Sequence, residues 1–351
     1  MMITIDGTYG EGGGQIIRTS LTLAALLTRP LHIKNIRAGR KNPGLAAQHL
    51  TAVRAAAALC GAALRGDHLG SMELIFEPQQ TPIRGAYRFD IAEAREGGSA
   101  GAATLVLQTV LLPLTVADGN SRVLLKGGTH VPWSPSFHYV QQVFLPLLAR
   151  CGYQVTSELE AWGWYPAGQG RIKAEITGHG GFKHLRGRDP FVRGDLKNVT
   201  GLAVASSLPS HIAQRMGQRA ANRLVQAGLP ASITPQRVRS VSPGAGIFLT
   251  AEYESSQAGF GSIGKKGKPS EAVADEAVDA LLAFHQTGAT FDKHLTDQML
   301  LPLVISGHRG TIAVESLTRH TMTNMWVIEQ FLGPVIKANP RNNTLEFFER
   351  L

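Results

Sequence analysis

One order of elements recurs three times along this chain: a helix, a strand, a loop, a second helix, a glycine and two further strands. Apolar residues at helical spacing predict the helices, and short runs rich in Ile, Val and Leu predict the strands. The helix, strand and second helix fall at 15–27, 31–37 and 44–60, then at 102–116, 122–126 and 136–151, and again at 294–306, 311–316 and 320–332. The second helices precede Gly61, Gly152 and Gly333, and glycine tolerates the left-handed turn that ends many helices. Three matched copies predict an α/β fold built from repeated units.

The stretch 182–282 interrupts this order between the second and third copies. It has a predicted strand near 246–253 and predicted helices near 208–227 and 270–284. Surface loops accept such insertions because the entropy of closing a loop grows slowly with its length. We therefore expect a large domain made of 1–181 (copies one and two) and 283–351 (copy three), with 182–282 as a smaller inserted domain.

The composition is that of a globular protein, with 43% hydrophobic and 17% charged residues. The chain has no apolar run long enough to cross a bilayer and no secretory signal at its start, so we expect a soluble cytoplasmic protein without a membrane partner. Cys60 and Cys151 are too few for a disulfide scaffold or a zinc site, and we expect both to lie in the core. The formal charge of +9 favours polyanionic partners, although many basic proteins bind no nucleic acid.

A glycine-rich loop, GEGGGQ at 10–15, follows the strand predicted at 2–6 and opens the first helix. Glycines let the backbone approach an anion, and the amides at a helix N-terminus point toward it. Glu11 inside this loop suggests a metal ligand or a hydrogen bond to the loop, and a tight turn with an exposed carboxylate explains it equally well. Arg18, one helical turn further on, could face the same space.

A basic loop joins the strand and second helix of the first copy. Arg37, Arg40 and Lys41 lie within five residues of one another, and Gln48 and His49 follow. Such a loop can bind a phosphate, with arginine making two parallel contacts. A solvated basic loop is the simpler interpretation of the same residues.

The equivalent loops of the other two copies carry a proline and a histidine. Pro132 lies in GGTHVPWSP and could lie flat against a ring, although plain loop punctuation explains the motif too. His320 begins the last predicted helix in RHTMTN, and a helix N-terminus disfavours a protonated imidazole. Thr323 and Asn324 could orient this ring or hold a phosphate. If the copies surround a common centre, Arg37, Arg40, Pro132 and His320 converge on one cleft.

Seven stretches, spread in order over nearly the whole chain, resemble the RNA 3′-terminal phosphate cyclase family. They are DGTYGEGGGQIIRTSLTLA, IRAGRKNPGLAAQHL, TLVLQTVLLPL, GGTHVPWSP, WYPAGQG, HLTDQMLLPL and RHTMTNMWVIEQFL. The resemblance implies an α/β (α+β) fold of three two-helix, four-strand units in a large domain with a smaller inserted α/β domain. It also implies a ligase-class enzyme of RNA processing that uses ATP, with Mg²⁺ or Mn²⁺, to convert an RNA 3′-phosphate end into a 2′,3′-cyclic phosphodiester. AMP is carried on a histidine, and AMP and pyrophosphate are released.

The resemblance also implies roles for individual residues. It places the nucleophile at His320 and a metal ligand at Glu11. The residues implied to bind the phosphates or the RNA end are Gln15, Arg18, Arg37, Arg40, Gln48 and His49. Those implied to contact ATP are Gln108, Pro132, His294, Leu295, Thr296, Asp297 and Gln298.

Two positions depart from the family pattern. His294 stands where relatives have a tyrosine that stacks on adenine, and imidazole can still stack, so we expect ATP binding with altered base affinity or selectivity. Gln169 stands where a third consecutive glycine is usual, which affects the conformation of that loop and not the chemistry.

Three alternatives remain at this stage. The chain could be a binding or scaffold protein, as are family members without the histidine, but His320, Thr323 and Asn324 favour chemistry. It could be an enolpyruvyl transferase, although that architecture needs six such units and three are found. Arg215, Arg219 and Arg223, at i, i+4 spacing in the insert, could guide RNA or form a solvated helix face. The sequence does not determine the oligomeric state.

Overall fold

The computed structural model describes residues 1–186 and 191–348 as a mixed α/β protein, which confirms the predicted fold class. The helices are α1 (Gly14–Leu27), α2 (Ala47–Cys60), α3 (Ala103–Thr115), α4 (Phe137–Tyr139), α5 (Leu145–Arg150), α6 (Ser210–Gln226), α7 (Ser270–Thr287), α8 (Lys293–Ile305) and α9 (Arg319–Leu332). A π-helical turn, Val140–Phe144, joins α4 to α5.

The strands form four sheets. The first sheet contains, in spatial order, β1 (Ile3–Asp6), β2 (Leu31–Lys34), β4 (Leu74–Glu77) and β3 (Ala63–Arg65). The second contains, in spatial order, β5 (Ala86–Asp90), β6 (Ser121–Gly127), β8 (Gly170–Ile176) and β7 (Val155–Ala161). The third contains, in spatial order, β10 (Ala231–Val238), β9 (Leu196–Ser206), β11 (Gly244–Tyr253) and β12 (Gln257–Ile263). The fourth contains, in spatial order, β13 (Gly310–Ala313), β15 (Thr344–Phe347) and β14 (Ile336–Asn339). The first two sheets have the same topology: in each, the first pair of neighbouring strands is parallel and the next two pairs are antiparallel.

Two large apolar cores accompany these sheets. One contains side chains from all three predicted copies, including Ile5, Val123 and Ile312. The other is built from the segment between Leu196 and Ala289, which holds the third sheet and the two helices α6 and α7. We propose that this second core marks the inserted domain and that 1–181 and 283–351 form the larger one, although Leu185 and Phe191 pack in the first core and Phe284 and Ala289 in the second. Cys60 and Cys151 are buried, as expected.

Backbone geometry shortens two elements relative to the sequence prediction. The strand predicted at 31–37 ends at Lys34, because Asn35 and Arg37 adopt φ of 54° and 53°, which an extended strand cannot contain. The helix predicted from 44 begins at Ala47. Gly44 has φ of 77°, and a Cβ there would overlap the carbonyl oxygen of Gly70, so this turn requires glycine.

The loop at 166–170 accommodates Gln169 at the position where the resemblance leads us to expect glycine. This residue adopts φ of 59°, the left-handed region that glycine enters without strain. The loop therefore keeps a glycine-like conformation although a side chain is present. Across the described ranges 1–186 and 191–348, no helix combines the length and apolarity needed to span a membrane.

Candidate active site

His320 lies in the first turn of α9. The helix begins at Arg319, and the Thr318 hydroxyl caps it by accepting a hydrogen bond from the Thr321 amide at 3.0 Å. The side chain of His320 is 45% exposed, so its ring is open to solvent. The positive end of the helix and an accessible ring together allow this imidazole to meet an anionic reactant.

Glu11 connects His320 to the basic loop. One carboxylate oxygen lies 2.5 Å from Nε2 of His320, and the other accepts a hydrogen bond from Arg40 at 2.9 Å. Arg40 also donates to the backbone carbonyl of Glu11 at 3.1 Å. Burial alone would raise the pKa of Glu11, but the hydrogen bond from Arg40 and the proximity of His320 outweigh it and lower that pKa. The glycine-rich loop, the basic loop and the start of α9 therefore meet at this carboxylate.

Asp297 of α8 lies on the other side of the histidine ring. Its Oδ2 is 3.9 Å from Nδ1 of His320, and its side chain is largely buried. Burial raises the pKa of Asp297 to about 6, although His320 and Arg18 oppose that shift. The Asn324 amide reaches toward the same carboxylate at 3.5 Å, and the Asn324 carbonyl oxygen accepts a hydrogen bond from the Thr19 hydroxyl at 2.8 Å.

Positive charge is concentrated behind Glu11. Desolvation lowers the pKa of Arg18 to about 10, while Asp297 acts to raise it. Burial lowers the pKa of Arg37, and the nearby Arg40 lowers it further. His49 is buried, and burial together with Arg18 and Arg37 lowers its pKa to about 3, so it is neutral. Guanidinium groups this close to one another favour an anion between them.

Glycines make room for these side chains. A Cβ at Gly14 would overlap Nε2 of His49, and a Cβ at Gly13 would overlap the Gln15 side chain and lie 3.2 Å from Arg40. A Cβ at Gly10 would overlap the Thr323 hydroxyl. The glycine-rich loop therefore allows its own backbone and the side chains of the basic loop and of α9 to approach closely.

The glutamines tie helices of different copies together. Gln108 of α3 donates to Gln298 of α8 at 2.5 Å, and Gln48 of α2 accepts from the Ala102 amide at 3.0 Å. The Gln15 amide nitrogen is buried and, within 1–186 and 191–348, has no hydrogen-bond partner. It lines a cavity of about 70 Å³, whose other polar walls include Arg18, Gln108, Asp297, Gln298 and Asn324. This space suits a few waters rather than a nucleotide.

The remaining predicted residues lie on the loop of Pro132 and at the start of α8, where His294 is near enough to His320 for their charges to interact. Pro132 is exposed on its loop. Desolvation lowers the pKa of His294, and the nearby Asp292 opposes that shift. Leu295 and Thr296 are buried, and the Thr296 hydroxyl donates back to the Asp292 carbonyl at 2.8 Å. These last two side chains face the core.

Sequence reasoning missed Asp292 and Tyr139. The Asp292 carboxylate caps α8 by accepting from the His294 and Leu295 amides at 2.9 Å, and it accepts from the Tyr139 hydroxyl at 2.9 Å and from the Gly259 amide at 3.2 Å. An aspartate directly before a predicted helix is a recognisable capping signal. The partners at 139 and 259 are too distant in sequence for such a signal to find.

Comparison with known proteins identifies the family. A family model described as RNA 3′-terminal phosphate cyclase matches residues 9–338. The chain belongs to the RNA 3′-terminal phosphate cyclase family. Proteins named RNA 3′-terminal phosphate cyclase share 53% identity in Nostoc punctiforme, over 96% of this chain and 96% of that one, and 42% in Sulfurisphaera tokodaii, again over 96% of both. The Pyrococcus furiosus cyclase shares 40% identity over 96% of this chain and 95% of its own.

Among solved structures, the enolpyruvyl transferase NikO from Streptomyces tendae aligns with a TM-score of 0.26 and 16% identity, covering 62% of this chain and 37% of that one. The cyclase family is a family of ligase-type enzymes, and the family match covers every residue of the Glu11–Arg40–Asp297–His320 cluster.

Proposed function

We propose that this protein is an ATP-dependent RNA 3′-terminal phosphate cyclase in which His320 is the nucleophile. Nε2 of His320 attacks the α-phosphorus of ATP, a P–N bond forms, and the bond to pyrophosphate breaks. AMP then moves from the histidine to an oxygen of the RNA 3′-phosphate. The neighbouring 2′-oxygen attacks that activated phosphorus, closes the cyclic phosphodiester and expels AMP. Splitting one hard displacement into such steps is the usual gain of nucleophilic catalysis.

The observation that carries this proposal is the placement of His320 between two carboxylates. Asp297 is on the Nδ1 side, 3.9 Å away, where a carboxylate favours the tautomer that leaves Nε2 without a proton. Glu11 is on the Nε2 side at 2.5 Å. Nε2 is therefore free to attack phosphorus when the Glu11 carboxylate turns away from it.

The arginines supply the electrostatic part of the reaction. Arg37 and Arg40 repel each other, and Glu11 holds Arg40, so both arginines are stabilised when phosphate oxygens arrive between them. Stabilising the charge that develops on departing pyrophosphate is a major source of rate in phosphoryl and nucleotidyl transfer. We assign Arg18, Arg37 and Arg40 to the phosphates of ATP and of the RNA end.

A divalent cation fits this site only as an ion shared with the substrate. Within 1–186 and 191–348, no cluster of three or more His, Cys, Asp or Glu side chains could hold a metal. Glu11 offers one carboxylate, which suits Mg²⁺ or Mn²⁺ that takes its other ligands from phosphate oxygens and water. Such an ion would neutralise charge on the ATP phosphates.

The test is the transfer of AMP to the protein. With ATP labelled at the α-phosphate, we expect an acid-labile label on the wild-type chain and an RNA 2′,3′-cyclic end when a 3′-phosphorylated oligonucleotide is added. His320→Ala should abolish both. His211→Ala, at an exposed histidine of α6, is the matched control and should leave both unchanged. Persistent labelling of His320→Ala contradicts the proposal, and absence of label in the wild type favours the scaffold alternative.

A further inference from the structure

Two aromatic side chains project into solvent beside the loop that carries Pro132. Trp133 is 99% exposed, and Tyr165 is 70% exposed. Folding normally removes rings of this size from water, and tryptophan and tyrosine are enriched where proteins meet partners. We call Trp133 and Tyr165 the aromatic platform.

The backbone beneath the aromatic platform is firmly held. The amides of Thr129 and His130 both donate to the Gly163 carbonyl, at 2.9 and 3.0 Å, and the Gly163 amide donates back to the Thr129 hydroxyl at 2.9 Å. These bonds join the segment before Trp133 to the segment before Tyr165. The His130 ring stacks on Trp162 with centroids 4.4 Å apart, which packs the space below.

The turn that presents Trp133 is also fixed. The Ser134 hydroxyl donates to the Val131 carbonyl at 3.0 Å, and the Thr104 hydroxyl donates to the Pro135 carbonyl at 2.8 Å. Trp133 itself adopts φ of 60°, a conformation that is energetically unfavourable for any residue other than glycine. The backbone that presents the ring is therefore fixed, so binding has to order only the two side-chain torsions of Trp133.

A short series of contacts links the aromatic platform to the His320 cluster. The Ala103 amide donates to the Gly128 carbonyl at 2.8 Å, and the preceding Ala102 amide donates to Gln48 at 3.0 Å. Gln48 adjoins His49, which contacts Gly14 beside Arg18. The backbone beneath the aromatic platform is therefore linked by hydrogen bonds and contacts to the proposed phosphate-binding residues.

Cations lie on the other flank. Trp162 pairs with Ser240, directly after the exposed Arg239, and Arg237 is anchored by donating to the Leu208 carbonyl at 2.9 Å. Separate aromatic faces with neighbouring arginines suit single-stranded nucleic acid, whose bases stack and whose phosphates pair with cations.

We infer that the aromatic platform stacks on bases of single-stranded RNA upstream of the 3′-phosphate, so that the enzyme binds the body of its substrate as well as its end. This inference rests on the proposed function for the identity of the substrate. It assigns no part of the chemistry at His320 to Trp133 or Tyr165.

The experiment compares Trp133→Ala, Tyr165→Ala and Trp133→Phe with the wild type. We would measure binding of fluorescent 3′-phosphorylated oligonucleotides, one a dinucleotide and one of about twelve nucleotides, a length typical of single-strand sites. Each alanine variant should bind the longer RNA roughly tenfold more weakly, the effect of losing one base–aromatic stack. Trp133→Phe should recover most of that affinity, and binding of the dinucleotide should not change.

Phe348→Ala, which removes another exposed ring far along the chain, is the matched control and should bind both RNAs normally. Unchanged affinity of Trp133→Ala for the longer RNA overturns the inference. So does a loss that is equal for both RNAs, or a change in sedimentation, which would make the platform a contact between copies of the chain. AMP labelling of His320 without RNA should be the same in all variants. If the wild type takes no label while its affinity for the longer RNA still depends on Trp133, the proposed function is contradicted and the inference about RNA binding is supported.

Discussion

Asp297 is a carboxyl group of the candidate active site whose charged form is disfavoured by burial. It is largely buried, faces both His320 and Arg18, and has a pKa raised to about 6 because burial outweighs these cations. A group whose pKa is raised in the folded state binds its proton more tightly there than in the unfolded chain. Its contribution to stability is therefore present below the unfolded pKa near 3.8 and is lost as the pH rises through 6.

Asp297→Asn removes this titration with little change in volume. Relative to the variant, the wild type should lose up to roughly 3 kcal/mol of unfolding free energy between pH 4 and pH 6, from two pKa units at about 1.4 kcal/mol each. Urea unfolding of both proteins across this range measures the difference. A gap that stays constant with pH would show that Asp297 does not titrate in this way. AMP labelling at pH 8 should fall in the variant, because a neutral amide holds the His320 tautomer less strongly.

At the scale of residues, the sequence predicted the positions that carry local signals. A glycine-rich loop and a helix start single out Glu11 and His320 as candidates, the family resemblance implies their roles, and the two side chains touch. Asp292 and Tyr139 were missed because their importance depends on a contact between positions 153 residues apart. Composition and spacing describe neighbours along the chain, whereas such a contact exists only after the elements pack.

The N-terminus of α9 is the element on which the proposed chemistry depends. Thr318 caps it, and His320 is held in the first turn by that cap. Thr318→Ala should lower the unfolding free energy by about 1 kcal/mol, the usual cost of losing a cap, and should slow AMP labelling because the first turn frays. Thr318→Ser keeps the hydroxyl and is the matched control. Equal labelling by the alanine and serine variants would contradict this role.

The helices α6 and α7 decide between the two expectations for the arginines of the proposed insert. Arg215, Arg219 and Arg223 pair with Glu271, Asp275 and Asp279 across the two helices. The arginine series is therefore an exposed helix face whose charges are neutralised by carboxylates at matching i, i+4 positions, which argues against an open RNA track. The acidic series was visible in the sequence, but its register against α6 was not.

Charge reversal tests this pairing. Arg215→Glu should lower the thermal midpoint by placing like charges opposite each other, and the double exchange Arg215→Glu with Glu271→Arg should restore it. The effect should shrink at high salt, because these side chains are exposed. Binding of RNA should be the same in all three proteins. Weaker RNA binding by the double exchange would show that Arg215 contributes to RNA binding.

Element positions were predicted well where apolar periodicity and a terminal glycine agree. The second helix of the first copy ends at Cys60, as predicted, and Gly61 takes the left-handed conformation with φ of 60°. The π-helical turn Val140–Phe144 was not predicted. Pro146 has no N–H to donate to the carbonyl of Gln142 four residues earlier, so regular α-helical bonding fails there. The sequence contained this cause, but periodicity does not register it.

At the scale of the whole molecule, Asp292 joins three parts of the chain. Its carboxylate accepts hydrogen bonds from Tyr139, from the Gly259 amide in the insert and from the start of α8, which carries Asp297. The insert also reaches the larger part through Phe248, which stacks on His138, and through the Thr250 hydroxyl, which donates to Gln142 at 2.9 Å. The position of the insert is thus coupled to the position of α8.

Gly259→Ala tests that coupling from a distance. A Cβ at Gly259 would lie 2.5 Å from a ring carbon of Tyr139 and 2.8 Å from Val143, so β12 must move away and its amide must leave Asp292. We expect a loss of about 1–3 kcal/mol in unfolding free energy, typical of overpacking, and slower AMP labelling although His320 is untouched. Gly261→Ala, on the same strand, is the control, because its Cβ comes no nearer than 3.1 Å to Phe248. Slower labelling should follow Gly259→Ala and not Gly261→Ala, since the Gly259 amide is the one of these two strand positions that donates to the Asp292 carboxylate. If Gly259→Ala loses stability but labels at the wild-type rate, the insert is joined to the larger part without influencing the site.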